Sequence, residues 1–296
     1  MDVSVIIVNY NTKDLIKKCI ESVIRETKDI EYEIIVSDNG SSDGSIEIIK
    51  QFFPQVILLE NGKNLGFGKA NNKGLEIAKG KYIFYLNSDT ILLNNSIKYF
   101  FDYWEKNVHN KIGALGGVLL NDEFAPIHSY ANFPTYKKYC KEIYNQFVFH
   151  IIKTIIHYLH LENIYYQKQK QYNCSELVKC GEIDGYITGA DLFLLNNSFA
   201  KFDENYFLYC EETDLELKLA KNGFRMFIIP EPRIQHLNRK IGSKFVIANF
   251  SEVCVQTSAL YYCKKNLNKR CLLLKFLIFL DRMNPNVKEM VNKIPK

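Results

Sequence analysis

Hydrophobic positions along the chain change period several times, and each change marks an element. Val3 to Val8 is a continuous apolar, β-branched run that stops at Asn9-Tyr10-Asn11-Thr12. Such a run reads as a strand buried on both faces of a parallel sheet. Leu15, Ile16, Cys19, Ile20, Val23 and Ile24 then recur at helical spacing, with Asn11 or Thr12 as N-cap. The alternation repeats. A strand over Glu33 to Val36 leads through the polar turn Asp38 to Ser45 into a helix over Ile46 to Phe53. A strand over Val56 to Leu59 leads through Asn61-Gly62 and Asn64 to Gly68 into a helix over Lys69 to Lys79. A strand over Lys81 to Leu86 ends in Asn87-Ser88-Asp89-Thr90, before a helix that starts near Asn94 and continues through Trp104. This order predicts parallel βαβ units with right-handed crossovers.

After a further strand over Ile112 to Leu120, the pattern changes. Asp122 to Lys179 is rich in Tyr, Phe, Ile, His and Lys, with helical periodicity from Tyr136 to Leu161, and reads as a helical insertion. Regular patterning returns with a turn and strand over Ile183 to Leu195, a helix over Thr213 to Asn222 ended by Gly223, and a strand over Arg225 to Ile229. The turn Pro230 to Pro232 leads to Ile234-Gln235-His236, and Ser251 to Lys296 is helical and basic. The expected organisation is one α/β domain over residues 1–250, divided into 1–120, the insertion 122–180 and 181–250, followed by a helical extension over 251–296.

Composition narrows the function classes. A chain of 296 residues with 47% hydrophobic and 24% charged content supports a sizeable core and argues against global disorder. A net charge of +5 suits an anionic ligand or an anionic membrane surface and is too weak to argue for nucleic acid. The eight cysteines form no CxxC pair and no zinc-ligand spacing, so reduced thiols in a cytoplasmic protein are expected. Met1-Asp2 runs straight into a strand, so no signal peptide is expected, and no apolar run reaches the ~20 residues of a membrane span.

The chemistry follows from where the polar clusters fall. Asn9 to Thr12, Asp38 to Asp43, Asn64 to Asn72 and Asn87 to Thr90 all come after strands. They are therefore expected to meet at the carboxyl edge of the sheet, where open α/β sheets bind ligands. Asp89, beside Asn87 and Ser88, could hold a divalent cation shared with ligand phosphates, or it could belong to a helix-capping turn. Glu211, Glu212 and Asp214 crowd the start of a helix, more carboxylates than capping requires. Gly189 and Ala190, followed by Asp191, supply small residues where a sugar ring could approach the backbone. His236 reads equally as a packed histidine or a ligand. The basic tail reads equally as amphipathic helices packed on the domain or as a contact with an anionic membrane face.

The motifs VSVIIVNYN, EIIVSDNGSSDGS, NLGFGKANNKGL, YIFYLNSDT, ITGADLFLL, FDENYFLYCEETDLELKLAKNGF and PEPRIQH occur in an order that resembles family 2 glycosyltransferases of GT-A fold. The bacterial rhamnosyltransferase-like branch is the most similar. The likeness spans about Val3 to Ile241. It implies inverting, metal-dependent transfer of a sugar from a nucleoside diphosphate donor, dTDP-rhamnose or a UDP-hexose. The implied acceptor is a glycan or lipid-linked glycan in cell-surface polysaccharide synthesis, at the inner face of the membrane. By that resemblance, Asn9, Tyr10 and Asn11 lie near the base, and Asp38 is the carboxylate that recognises a pyrimidine. Asn64, Gly66 and Asn71 lie near the phosphates and ribose. Asn87, Ser88 and Asp89 match the Asp-x-Asp motif, with Asp89 a ligand of Mg²⁺ or Mn²⁺ and His236 completing the shell. Glu212 matches the base, with Glu211 and Asp214 competing for that role, and Gly189, Ala190 and Asp191 border the sugar or acceptor.

Two positions depart from the family pattern: Asn87 replaces the first Asp of the metal motif, and Glu212 replaces an Asp. Other classes fit less well. A nucleotidyltransferase would carry a glycine-rich basic loop after the first strand, and a dinucleotide dehydrogenase would carry GxGxxG there; Asn9-Tyr10-Asn11 is neither. A binding module that has lost catalysis is the third reading, prompted by Asn87.

Overall fold

The computed structural model describes residues 1–161, 179–237 and 248–294. Residues 162–178 of the expected insertion, Cys174 among them, and the stretch 238–247 lie outside these. The chain divides into two compact units.

The first unit comprises Met1–Phe133, Cys174–Asn205 and Glu211–Arg239 and holds the sheet. Its opening elements are β1 (Val3–Asn9), α1 (Lys13–Glu26), β2 (Tyr32–Asp38), α2 (Ser45–Phe52), β3 (Ile57–Glu60), α3 (Phe67–Leu75) and β4 (Tyr82–Asn87). There follow β5 (Thr90–Leu92), α4 (Ser96–Lys106), β6 (Ile112–Leu120) and β7 (Tyr130–Ala131). The later segments add β8 (Gly181–Ile183), β9 (Tyr186–Ile187), β10 (Asp191–Leu195), α6 (Glu211–Lys221) and β11 (Arg225–His236). The strand order is β3-β2-β1-β4-β10-β6-β11-β5, with β8 also on β11, and β7 and β9 pair separately.

β1 to β4 form the expected parallel half. β10 is antiparallel to both β4 and β6, whereas β6 and β11 are parallel. Side-chain alternation explains how helices cover both faces. Val3, Val5, Ile7, Ile34, Val36, Tyr82, Phe84 and Leu86 point into one core with Ile16, Ile20, Phe100 and Trp104. Ile6, Ile35, Ile83 and Tyr85 point into the other with Phe202, Leu215 and Leu219. Phe193 of β10 stacks on Tyr82 and Phe100, with ring centroids 5.2 and 5.3 Å away. Each such aromatic removes enough apolar surface from water to contribute about 1.5–3 kcal/mol, so the antiparallel strand is anchored at the centre of the sheet.

Two expectations need correction. Pro230 to Pro232 is not a turn between separate strands: β11 runs unbroken from Arg225 to His236, with its register against β6 shifting between Ile228 and Arg233. The shift lets the chain pass the prolines, which cannot donate to the ladder, as a bulge does. The helix expected from Thr213 begins at Glu211, so all three clustered carboxylates are helical.

The second unit comprises Pro134–Asn173, Tyr206–Cys210 and Lys240–Lys296. Its helices are α5 (Tyr136–Tyr158), α7 (Phe250–Asn266), α8 (Leu272–Arg282) and α9 (Pro285–Val291). Asn249 and Glu252 form a reciprocal capping box at the start of α7. His150 of α5 ties three helices together. Its Nδ1 lies 2.8 Å from Asp281 Oδ1 of α8, and its Nε2 lies 3.1 Å from Glu252 Oε2 of α7. Gln256 donates to the other Asp281 oxygen at 2.6 Å.

Candidate active site

The site is built within the first unit by turns that follow β1, β2, β3 and β4. The turn after β1 is held by Asn9, which is fully buried and donates through Nδ2 to Asp38 Oδ2 at 2.6 Å and to Ser41 Oγ at 3.0 Å. Thr12 donates to Asn9 Oδ1 and lies 3.1 Å from Ser88 Oγ. That contact joins the first turn to the fourth. Asn11 takes the left-handed conformation at φ 51°, and its Oδ1 accepts from Ser42 N at 2.9 Å. Tyr10, between them, is 42% exposed.

Asp38 is fully buried, and its second oxygen accepts from Gly40 N at 3.0 Å and Ser41 N at 2.8 Å. Its carboxylate therefore shapes the turn after β2, as Asx turns do. Gly40 is required there. Its φ is +78°, and a Cβ would stand 2.9 Å from the Lys63 backbone. Asn39 donates through Nδ2 to Gly66 O at 3.1 Å and Asn64 Oδ1 at 3.3 Å, and through Oδ1 accepts from Asn61 Nδ2 at 3.1 Å. The second and third turns are thus stitched together by Asn39, which sequence reasoning overlooked. Its one signal was position, beside Asp38 in a polar turn. Asn64 is half-buried and Gly66 buried; Asn71 is buried in α3 and donates to Phe67 O of its own helix.

Asn87 to Thr90 is a closed turn. Thr90 Oγ1 donates to Asn87 O at 2.7 Å, and Cys19 Sγ lies 3.5 Å from the same oxygen. Burial pushes the Cys19 thiol up to about 12, so it remains a neutral packing group. Asn87 is half-buried and Ser88 buried. The short strand β5, which periodicity did not reveal, pairs antiparallel with the end of β11, placing His236 opposite Thr90. Leu237 N donates to Asp89 O at 2.8 Å, and His236 Nε2 lies 3.2 Å from Asp89 Oδ1. Their side chains are 18% exposed for Asp89 and 32% for His236, with Asp89 Oδ1 itself buried between them. A carboxylate beside an imidazole, on side chains that each keep some exposure, fits a divalent cation that a diphosphate and water would also ligate. Among the described residues no group of three His, Cys, Asp or Glu side chains forms a complete metal site.

The carboxylate cluster at the start of α6 adjoins this turn. Asn87 N donates to Ala190 O at 3.0 Å, and a Cβ on Gly189 would stand 3.5 Å from Glu212 Cγ. Residues 87 and 212 therefore border the same short segment, Gly189-Ala190. Of the three clustered carboxylates, Glu211 and Asp214 are 2% and 5% exposed. Glu212 is half-buried and reaches solvent. Burial raises the Glu212 carboxyl to about 7, against the opposing pull of the backbone N–H groups of Glu212 and Thr213. Asp191 is fully buried, and its Oδ2 accepts from Gly117 N at 2.6 Å, so its carboxyl lies inside the sheet rather than in an open pocket. One turn beyond Glu212, the fully buried Glu216 accepts from Ile187 N at 2.9 Å. Burial raises both Asp191 and Glu216 well above the usual carboxylate range, and each keeps one oxygen with no hydrogen-bond partner among the described residues. Glu216 had no sequence signal beyond its helical spacing from Glu212.

The matches span 20% and 38% of the length of the first two curated relatives. Poly(ribitol-phosphate) beta-glucosyltransferase of Bacillus spizizenii is 32% identical over 124 residues, which cover 40% of this chain and 20% of that protein. Rhamnosyltransferase WbbL of Escherichia coli is 29% identical over 240 residues, covering 77% of this chain and 80% of that protein. A crystal structure of S. aureus TarS residues 1–349 in complex with UDP matches with a TM-score of 0.55 at 13% identity, covering 100% of this chain and 76% of that one. That likeness bears on the fold, and it agrees with the expected GT-A arrangement of a mostly parallel sheet between helices. The family model for glycosyl transferase family 2 matches residues 4–162, more than half of the sequence, and the chain belongs to that family.

Proposed function

We propose that this chain transfers a sugar, with inversion, from a nucleoside diphosphate donor to a hydroxyl of a cell-surface glycan or its lipid-linked precursor. The observation that carries the reading is the shared border at Gly189-Ala190. The Asn87–Asp89 turn is bonded to one side of that segment, and Glu212 packs against the other. Inverting transfer needs the leaving group and the attacking hydroxyl on opposite sides of one sugar carbon, and this segment is small enough to leave room for the ring.

In this reading Tyr10 lies against the base, while Asp38, Asn9 and Asn39 hold the turns that receive the nucleotide. The exposed ring of Tyr10 supports the first role. Asp89 and His236 would hold Mg²⁺ or Mn²⁺, whose charge would neutralise the departing diphosphate. Asn87 brings no charge to the motif but retains an amide able to hydrogen-bond the ribose or a water. Glu212 Oε takes the proton of the acceptor hydroxyl as the new bond to the anomeric carbon forms. Its half-burial and raised pKa suit a base poised near neutrality, whereas Glu211 and Asp214 are too enclosed to meet an acceptor.

UDP and UDP-GlcNAc occupy the S. aureus relative's crystal structures, and a rhamnosyltransferase is among the sequence relatives. UDP-hexoses and dTDP-rhamnose are accordingly the donors to test. Thermal shift with a panel of nucleotide sugars, with and without Mn²⁺, identifies the donor, and release of its nucleoside diphosphate on adding acceptor measures transfer. Stabilisation by none of the panel, with metal present, would refute the reading.

A further inference from the structure

The second unit carries a helix that is apolar on both sides. α8 buries Leu274, Leu277 and Ile278 within its own unit. It turns Leu272, Phe276 and Phe279 outward, at 69%, 55% and 63% exposure, and Met283 just beyond its end is 67% exposed. These four recur at helical spacing and form one stripe, flanked by Leu273 at 52% exposure. Isolated exposed apolar residues are ordinary; a continuous Leu-Phe-Phe-Met stripe is not.

The charge around the stripe indicates what covers it. From Val253 to Leu280 the charged residues are Lys264, Lys265, Lys269, Arg270 and Lys275, with no acid among them. All five are exposed, and Lys269, Arg270 and Lys275 bracket the first turn of the stripe. A second copy of the same face would oppose cation to cation across a two-fold axis, with no acidic group on the segment to receive them. An anionic lipid surface has the complementary charge and also an apolar layer beneath it. Among the described residues no helix is long and apolar enough to cross a membrane, so α8 would lie in the interface.

We propose that α8 is a membrane-docking helix. Leu272, Phe276, Phe279 and Met283 enter the headgroup–acyl boundary of an anionic bilayer, and the neighbouring lysines and arginine engage lipid phosphates. α5 exposes a second apolar stripe, including Ile151, Ile152 and Ile155. It lacks a cationic frame: between Glu142 and His160 its one Lys or Arg is Lys153, which lies 4.4 Å from the Phe149 ring centre. The inserting face is therefore assigned to α8. A lipid-linked acceptor would lie at the same surface.

The test is co-sedimentation of the full chain with phosphatidylcholine vesicles, with or without about one-third phosphatidylglycerol, at low and high salt. Binding to the anionic vesicles alone, weakened by salt, is expected. The double variant Phe276→Ser/Phe279→Ser and the charge variant Lys269→Glu/Arg270→Glu should each bind about tenfold or more weakly, while Ile151→Ser/Ile155→Ser binds as the parent does. Phe279→Trp supplies a probe with the fold intact: the single native tryptophan, Trp104, is 6% exposed in the sheet core. The emission of the Phe279→Trp variant should shift to the blue on adding anionic vesicles. Failure of the parent to bind anionic vesicles, an unshifted emission from the Phe279→Trp variant, or loss of binding in the α5 variant alone would overturn the proposal. So would a parent dimer that Phe276→Ser/Phe279→Ser converts to monomer. Vesicle binding is measured without turnover, so its failure leaves the transfer chemistry at Glu212 untouched.

Discussion

Asp89 and His236 meet across an antiparallel strand pair, with Asp89 Oδ1 3.2 Å from His236 Nε2. In the absence of metal, such a contact between two partly exposed side chains adds little to folding, about 0–1 kcal/mol. If both side chains ligate a cation, removing either should affect nucleotide binding far more than folding. Asp89→Ala should weaken Mn²⁺-dependent binding of the donor diphosphate by at least about tenfold, or 1.4 kcal/mol, and His236→Ala by less. Titration calorimetry with and without Mn²⁺ measures this. Unchanged affinity in Asp89→Ala would remove that residue from the metal shell.

Glu212 faces the Gly189 backbone, and burial holds its carboxyl near 7. A base must be ionised to accept a proton, so kcat/KM should rise with pH through about 7 and level off above it. Glu212→Gln should lower turnover by about 10²–10⁴-fold while donor affinity persists. Initial rates across pH 5.5 to 9 give the profile, and calorimetry gives the affinity. Near-normal turnover in Glu212→Gln would reassign the base to another group.

Much of this arrangement was legible in the sequence, and the gaps have physical causes. The apolar run at Val3–Val8 and the strand formers at Lys81–Leu86 read directly as β1 and β4, because strands buried on both faces leave little ambiguity of period. The convergence of four polar turns followed from parallel topology alone. What the pattern could not reveal depended on partners remote in the chain. β5 has three residues, too few for a period, and exists because β11 lies alongside it. The prolines hid the continuity of β11, since only the pairing with β6 shows how the register absorbs them. Asn39 looked like an ordinary turn residue and Thr12 like a helix cap, yet they carry the hydrogen bonds between turns. Asp191 followed two small residues and read as part of a pocket rim, but strand alternation turns its carboxyl into the sheet against Gly117.

Glu216 carries a testable consequence for stability. Its carboxyl is fully buried beneath Glu212 and Asp191, and burial, with those two carboxylates adding to it, raises its pKa well above normal. The folded chain therefore keeps a proton that the unfolded chain releases above about pH 4.3. Stability falls as pH rises above that value, because the unfolded state binds fewer protons. Glu216→Gln retains a carbonyl for Ile187 N and removes the titration. It should unfold at higher urea than the parent at pH 8 and differ less at pH 5. A variant less stable at pH 8 than at pH 5, relative to the parent, would show that Glu216 is ionised in the fold.

His150 makes the opposite prediction for the helical unit. Burial lowers its pKa, but the hydrogen bonds and charges of Asp281 and Glu252 outweigh that and raise it to about 9. Burial likewise opposes ionisation of Glu252, yet the same pair holds its carboxyl below the usual range. For a histidine raised from 6.5 to about 9, the stabilisation is complete below pH 6.5 and is lost as pH climbs through 9. For Glu252 the stabilisation is present above its ordinary carboxylate range and is lost on acidification. The cluster should therefore hold α5, α7 and α8 together most firmly between about pH 5 and 6.5. His150→Gln keeps hydrogen-bonding capacity but cannot carry the charge. Urea unfolding followed by far-ultraviolet circular dichroism should show the parent midpoint falling between pH 6.5 and 9.5, with a much flatter dependence in His150→Gln. Equal slopes in the two proteins would mean that His150 is neutral in the folded chain, and that its contacts with Asp281 and Glu252 are ordinary hydrogen bonds of about 1 kcal/mol each.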